Sequence, residues 1–250
     1  MQIKVGLCGF TVAMARYCRC FPVVEVQQTF YQPPEDSTLR RWRNEAPPDF
    51  EFTLKAWQLI THTGTSSTYR RLRRPITASE RSGLGAFRNT AIVDEGWRRT
   101  VECAQILSAT AILFQTPASF KATEEHIENL QTFFNRIERP GGIRLMWEPR
   151  GPWPEPQVAQ LCRDLALVHV VDPFVTDAQT RSPTYFRMHG VTGSRHVYSD
   201  DELRWLVGRL PTEGDVYVMF NNMPRVSDAG RFISLVEGDI ARSGALLRPS

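Results

Sequence analysis

The sequence predicts an α/β fold and, within that class, a TIM-like (β/α)8 barrel that spans residues 1–250 as a single domain. Three observations point there. Eight short β-rich runs recur along the chain, each followed by a polar or amphipathic stretch of helical period, the pattern of a parallel sheet built from βα units. Polar or charged residues stand at or just beyond the C-terminal end of most of these runs, where barrel enzymes keep their working groups. A length of 250 residues is usual for a barrel folded as one unit. An open doubly wound sheet can hold the same alternation, but eight runs with polar ends favour closure.

The runs are Ile3–Cys8, Val23–Val26, Glu51–Leu54, Ala111–Phe114, Ile143–Trp147, Leu167–Val171, Thr184–Met188 and Val216–Phe220. They are rich in Val, Ile, Leu and Phe, which suit a strand buried on both faces. Helical spacing appears near Ser37–Asn44, Gly96–Leu107, Thr123–Ile137, Pro156–Leu165, Ser199–Leu210 and Ser227–Ile240. Ser199 with Glu202 three residues later makes a capping box, a start signal for its helix. Leu130, Phe133, Phe134 and Ile137 share one helical face and read as core. Between the third and fourth runs, residues 61–94 form a basic insertion with little apolar periodicity, expected to lie over the C-terminal face.

Composition narrows the function classes. The apolar share is 42% and the charged share 23%, values of an ordinary globular protein, and no apolar run reaches membrane-spanning length. The first residues read as a buried strand with no cleavage-like site after it, so the expected location is the cytoplasm and no membrane partner is expected. Five cysteines, Cys8, Cys18, Cys20, Cys103 and Cys162, are an odd number in such a chain and are expected as free thiols. Cys18 and Cys20 form the one close pair, without a second pair or histidines at ligand spacing. The net charge is +3, carried almost entirely by arginine; the lysines are Lys4, Lys55 and Lys121. A lysine in a pocket therefore raises a chemical question, because a desolvated ammonium shifts its pKa as arginine does not.

Six short motifs in order resemble the YecE-like family, domain of unknown function family 72. They are Val24-Glu25 with Thr29-Phe30-Tyr31, Phe52 to Ala56 with Ile60-Thr61-His62, and Leu113-Phe114-Gln115 with Pro117. The others are Trp147-Glu148-Pro149-Arg150 with Trp153, Tyr185 to Gly190, and Phe220-Asn221-Asn222. The resemblance covers nearly the whole chain and implies a TIM-barrel fold with no settled activity. It departs from the family pattern at Gln27, where Asn is usual, and at Pro149, so a shared reaction is less secure than a shared fold.

With these strands, Glu25 ends the second, Lys55 the third and Gln115 the fourth. Glu148 and Arg150 end the fifth, Asp172 the sixth, Arg187 and His189 the seventh, and Asn221 and Asn222 the eighth. One expectation is an acid–base site for a small polar or anionic ligand, a phosphate or carboxylate metabolite. Glu148 is then general acid or base, Lys55 a second proton donor and His189 a shuttle. Arg150 and Arg187 clamp the anion while Glu25, Gln115, Asn221 and Asn222 complete the binding set. No metal and no cofactor are expected there. The structural alternative is that Glu25, Lys55, Glu148 and Arg187 form a buried ion network closing the mouth. A metal alternative groups Glu148, Asp172 and His189, with His62 and Glu25 as further ligands. A nucleic-acid alternative, a binder or phosphodiesterase, rests on Arg70, Arg71, Arg73 and Arg74 with Tyr69, Phe87 and Trp97 nearby.

Overall fold

The alternation seen in the sequence closes into a barrel in the computed structural model, which describes residues 2–246 and side chains through residue 239. Met1 and residues 247–250, part of the expected domain, lie outside the described residues. In order the elements are β1 (Gln2–Cys8), α1 (Met14–Tyr17), β2 (Val23–Val26), α2 (Gln28–Tyr31), α3 (Asp36–Glu45), β3 (Glu51–Lys55), α4 (Gln58–Thr61) and α5 (Ala78–Gly83). Then come α6 (Ala91–Leu107), β4 (Ala111–Thr116), α7 (Glu124–Arg136), β5 (Arg144–Pro149), α8 (Glu155–Asp164) and β6 (Val168–Val171). The last are β7 (Thr184–Met188), α9 (Asp200–Gly208), β8 (Asp215–Phe220) and α10 (Arg225–Leu246). All neighbours pair in parallel in sequence order, and β1 closes on β8 from Gln2↔Asp215 to Leu7↔Phe220.

Period-two alternation then sorts every strand into an inner and an outer face. Val23, Ala111, Leu113, Met146, Val170, Tyr185, Tyr217 and Met219 form the apolar middle of the barrel. Their neighbours Val24, Phe52, Ile112, Phe114, Trp147, Val171, Phe186 and Val218 belong to the larger core under the helices. At the N-terminal end, Lys4 pairs with Glu51, which also accepts from the Tyr217 hydroxyl at 2.9 Å. Two residues further along the inner face of each strand, the alternation delivers Glu25, Lys55, Gln115, Glu148 and Arg187 to the C-terminal mouth. Gly6 on β1 is required by crowding: a Cβ there would lie 2.3 Å from the Val23 carbonyl oxygen.

The insertion is more structured than its periodicity indicates. A 3₁₀ turn at Ser67–Arg71 leads to α5, which opens on a capping box of Thr77 and Glu80. Tyr69, Leu72 and Ile76 pack on Trp57, Leu59, Leu84 and Ile92. Its limits also shift: Thr61 belongs to α4, and α6 begins at Ala91, one turn and more before the expected Gly96. Gly96 is small for packing rather than a helix start, since a Cβ would meet Ile60 and Leu59 at 3.0 and 3.1 Å. Among the described residues no helix is long and apolar enough to cross a membrane.

Candidate functional site

Arg187 organises the mouth. Its guanidinium has no exposed surface and lies between two carboxylates. Nε and Nη2 donate to Glu25 at 3.1 and 2.8 Å, and Nη1 donates to Glu148 Oε2 at 2.5 Å. Glu25 also accepts from the Tyr185 hydroxyl at 3.0 Å and from the Gln27 side-chain amide, which gives the unusual Gln27 a structural use. Thr53 Oγ1 lies 2.9 Å from the Tyr185 hydroxyl and extends the network inward. Apart from the half-buried Gln27, every group here is buried and partnered, as burial of charge requires.

Glu148 carries the network outward. Its Oε1 accepts from His189 Nε2 at 2.8 Å and from Arg150 Nη1 at 3.2 Å. Burial opposes ionisation of this carboxyl, but Arg187, His189 and Arg150 outweigh it and hold it far below the usual carboxylate range. Asn221 Nδ2 faces His189 Nδ1 at 3.1 Å, which places the ring proton on Nε2 and makes Nδ1 the basic nitrogen. The backbone N–H of His189 donates to Asp172 Oδ2 at 3.0 Å, fixing the ring from below.

Lys55 stands apart from these carboxylates. It is 5% exposed and donates to Gln115 Oε1 at 2.7 Å, with Nζ 3.9 Å from the Phe30 ring centroid. No carboxylate comes within ion-pair distance among the described residues. Burial, then the cation of Arg187, lower its pKa to about 8, against the opposing pull of Glu25 and Glu148. His62, beside Phe30 at 4.8 Å between ring centroids, is pushed down to about 4 by burial and then by Lys55.

The expected residues thus fall into three groups. Glu148, His189, Arg150, Arg187, Glu25 and Asn221 form one connected chain, with Lys55 and Gln115 as a pair on the β3–β4 side of the mouth. Asn222 is turned away: its amide donates to the His196 carbonyl and to Asp228 Oδ2 and holds the β8–α10 turn. Arg187 and Glu25 were expected to touch a ligand, but their polar atoms are spent on each other, Glu148, Tyr185 and Gln27. Glu148, expected as general acid or base, has one oxygen engaged by Arg187 and the other by His189 and Arg150, the donors that hold its carboxyl far below the usual range. Arg150 differs from Arg187, since its side chain is 42% exposed and only one nitrogen is engaged with Glu148.

The metal alternative does not assemble. Among the described residues no group of three or more His, Cys, Asp and Glu side chains is placed to hold a metal ion. Asp172, one of the three, spends Oδ1 on Phe174 N and Oδ2 on His189 N, a turn-forming use. Of the arginine run, Arg70, Arg71 and Arg73 are exposed, Arg71 stacks over Tyr31 at 4.3 Å, and Arg74 is tied to Glu80 and Glu95. Missed by the sequence reading are Tyr185, Cys8, which lies 3.7 Å from Arg187 Nη2, and His169 on β6. His169 carries a legible signal, a lone histidine inside the apolar run Val168–Val171.

The family model described as "Protein of unknown function DUF72" matches residues 11–242. The chain belongs to the DUF72 family. A crystal structure of a DUF72 family protein from Enterococcus faecalis V583 is 22% identical, with a TM-score of 0.70 over 96% of this chain and 98% of that one. One from Thermotoga maritima MSB8 is 20% identical, with a TM-score of 0.68 over 95% and 100%. A D-psicose 3-epimerase, 12% identical, aligns with a TM-score of 0.52 over 96% and 98%. These likenesses concern the barrel fold. No curated protein sequence matches the chain. Membership in DUF72 agrees with the motif resemblance, and several of those motifs supply the mouth: Glu25, Lys55, Gln115, Glu148, Arg150, Arg187 and His189.

Proposed function

We propose that this DUF72 protein is an enzyme that binds a small anionic metabolite, a phosphate or carboxylate, at the barrel mouth and moves a proton on it by acid–base chemistry. The observation that carries the proposal is Lys55, a buried amine without a carboxylate partner whose pKa of about 8 leaves it able to give and take a proton near neutral pH. His189 is the second proton carrier. Glu148 holds Nε2–H and so fixes the tautomer, and Nδ1 accepts a proton once the ligand displaces the Asn221 amide that faces it. Arg150, with free donors, draws the anionic group. The fitting reaction class is proton transfer at a carbon beside a carbonyl. The base takes the C–H proton, charge moves to the carbonyl oxygen, and the proton returns to the same carbon, or to the former carbonyl carbon when the adjacent hydroxyl proton passes to the former carbonyl oxygen. A barrel of similar fold in the D-psicose 3-epimerase is compatible with that class.

The test is solvent deuterium exchange into phosphorylated and carboxylated keto and aldo metabolites, followed by NMR. The proposal expects exchange into at least one, lowered about a hundredfold or more in Lys55→Met and in His189→Ala. Absence of protein-dependent exchange across such a set, or exchange unaltered in both variants, contradicts it. A second reading is favoured by the exposed Arg70, Arg71 and Arg73 beside Tyr31, a surface able to hold a polyanion such as a nucleic acid. The ion pairs that tie Arg74 to Glu80 and Glu95 weaken it.

A further inference from the structure

β5 and β6 pair only at Met146↔Val168 and Trp147↔His169. Beyond these pairs the β5–β6 register does not continue; there Glu148 bonds to Arg187, and Asp172 caps the loop that follows β6. A cavity of about 390 Å³ is lined here by Glu148, Arg150 and His189 at the mouth and by Trp153 and His169. That volume suits a small metabolite.

His169 is the informative wall. It is 3% exposed, and its Nδ1 accepts from the Gln179 backbone N–H at 3.1 Å. The ring proton is therefore on Nε2, which has no hydrogen-bond partner among the described residues. Burial pushes its pKa down to about 4 against the pull of Glu148, so near neutral pH the ring offers a neutral donor. This donor opens onto the cavity instead of being sealed in the core, so an acceptor entering the cavity can take it up. At the other end, Arg150 brings a guanidinium with unused donors beside Glu148 and His189.

We infer that this cavity is a substrate subsite in which His169 Nε2–H donates to a hydroxyl or carbonyl oxygen while Arg150 holds an anionic group, so that the ligand is a hydroxylated acid or sugar phosphate. The inference rests on the proposed function for the position of the reacting end and adds where the remainder of the substrate lies. His169 is a specificity residue, and it takes no part in proton transfer.

Calorimetry with gluconate 6-phosphate and, separately, with inorganic phosphate tests it. His169→Asn keeps an acceptor for the Gln179 N–H and removes the Nε2 donor. It should weaken the sugar phosphate about tenfold and leave inorganic phosphate unchanged, whereas Arg150→Gln should weaken both. In the unmodified protein, gluconate 6-phosphate should also shift the His169 Nε2–H resonance in a nitrogen-correlated NMR spectrum, a readout independent of how the variants fold. Binding weaker than about 1 mM, an unmoved His169 resonance, or equal affinity in His169→Asn overturns the subsite. Lys55→Met separates the two claims. Probe affinity that depends on His169 but accompanies no deuterium exchange removes the proposed chemistry and leaves the subsite, while exchange with no His169 dependence does the reverse.

Discussion

Replacing Arg187 by Met removes the guanidinium that Glu25 and Glu148 share and leaves two carboxylates buried at 0% and 2% exposure. Breaking a buried ion pair on one side costs about 3–5 kcal/mol, because the stranded charge keeps its desolvation penalty. For a chain of this size that is a fall of about 6–20 °C in melting temperature. The pH dependence should invert as well. In the unmodified protein Glu148 is held far below its ordinary value of 4.5, so its contribution to stability is present above about pH 4.5 and is lost as the pH falls further. In Arg187→Met the buried pair keeps only the half-exposed Arg150 as a cation, so burial favours uptake of a proton on folding. Stability should then rise as the pH falls from 7 toward 4.5. Thermal melts by circular dichroism from pH 7 to 4 read both effects. A variant that melts within a few degrees of the parent, with the same pH slope, refutes the network.

Three further outcomes follow from the same geometry. Lys55 titrates near 8 when folded and near 10.5 otherwise, so the folded state binds fewer protons and gains stability as pH rises between those values. Lys55→Met should therefore stabilise the protein near neutral pH by up to about 3 kcal/mol, less the contribution of the Gln115 hydrogen bond; a lower melting temperature at every pH contradicts the lowered pKa. Gly85 has φ +71°, and a Cβ would lie 2.1 Å from the His62 carbonyl carbon. Gly85→Ala should thus lose several degrees in melting temperature, whereas an unchanged melt would show that the insertion does not hold His62 this closely. If the exposed arginines bind nucleic acid, Arg70→Ala, Arg71→Ala and Arg73→Ala together should weaken binding and flatten its salt dependence by about one unit of slope for each phosphate no longer neutralised. Absence of binding to DNA and RNA at low salt removes that reading.

Much of the barrel was legible because period-two alternation and strand length are local properties. Strands read from the sequence begin or end within two residues of those observed, and the inner face then delivers Glu25, Lys55, Glu148 and Arg187 to one mouth. The first turn of α6 was not legible, since Gly96 reads as a break although it is there to let α6 approach Ile60. Helices of four residues, such as α2 and α4, have no period to detect. Roles within the site were less legible than membership. Sequence spacing does not reveal that Arg187 lies between two carboxylates, which engages its polar atoms and those of Glu25 with one another and sets His189 against Glu148. Asn222 differs from Asn221 by one position past the strand end, enough to send its amide to Asp228. His169 sits on the outer face of β6, and no sequence spacing shows that it lines one cavity with Glu148, Arg150 and His189.

The chemistry proposed for the mouth is tested most directly by titration of the lysine amines by NMR in protein labelled at lysine, where Lys4, Lys55 and Lys121 give three resolvable signals. One signal should titrate near pH 8, vanish in Lys55→Met, and respond to an anionic ligand at the mouth. A signal lost in Lys55→Met that titrates near 10.5 would contradict a poised Lys55 and, with it, the proton transfer assigned to the site.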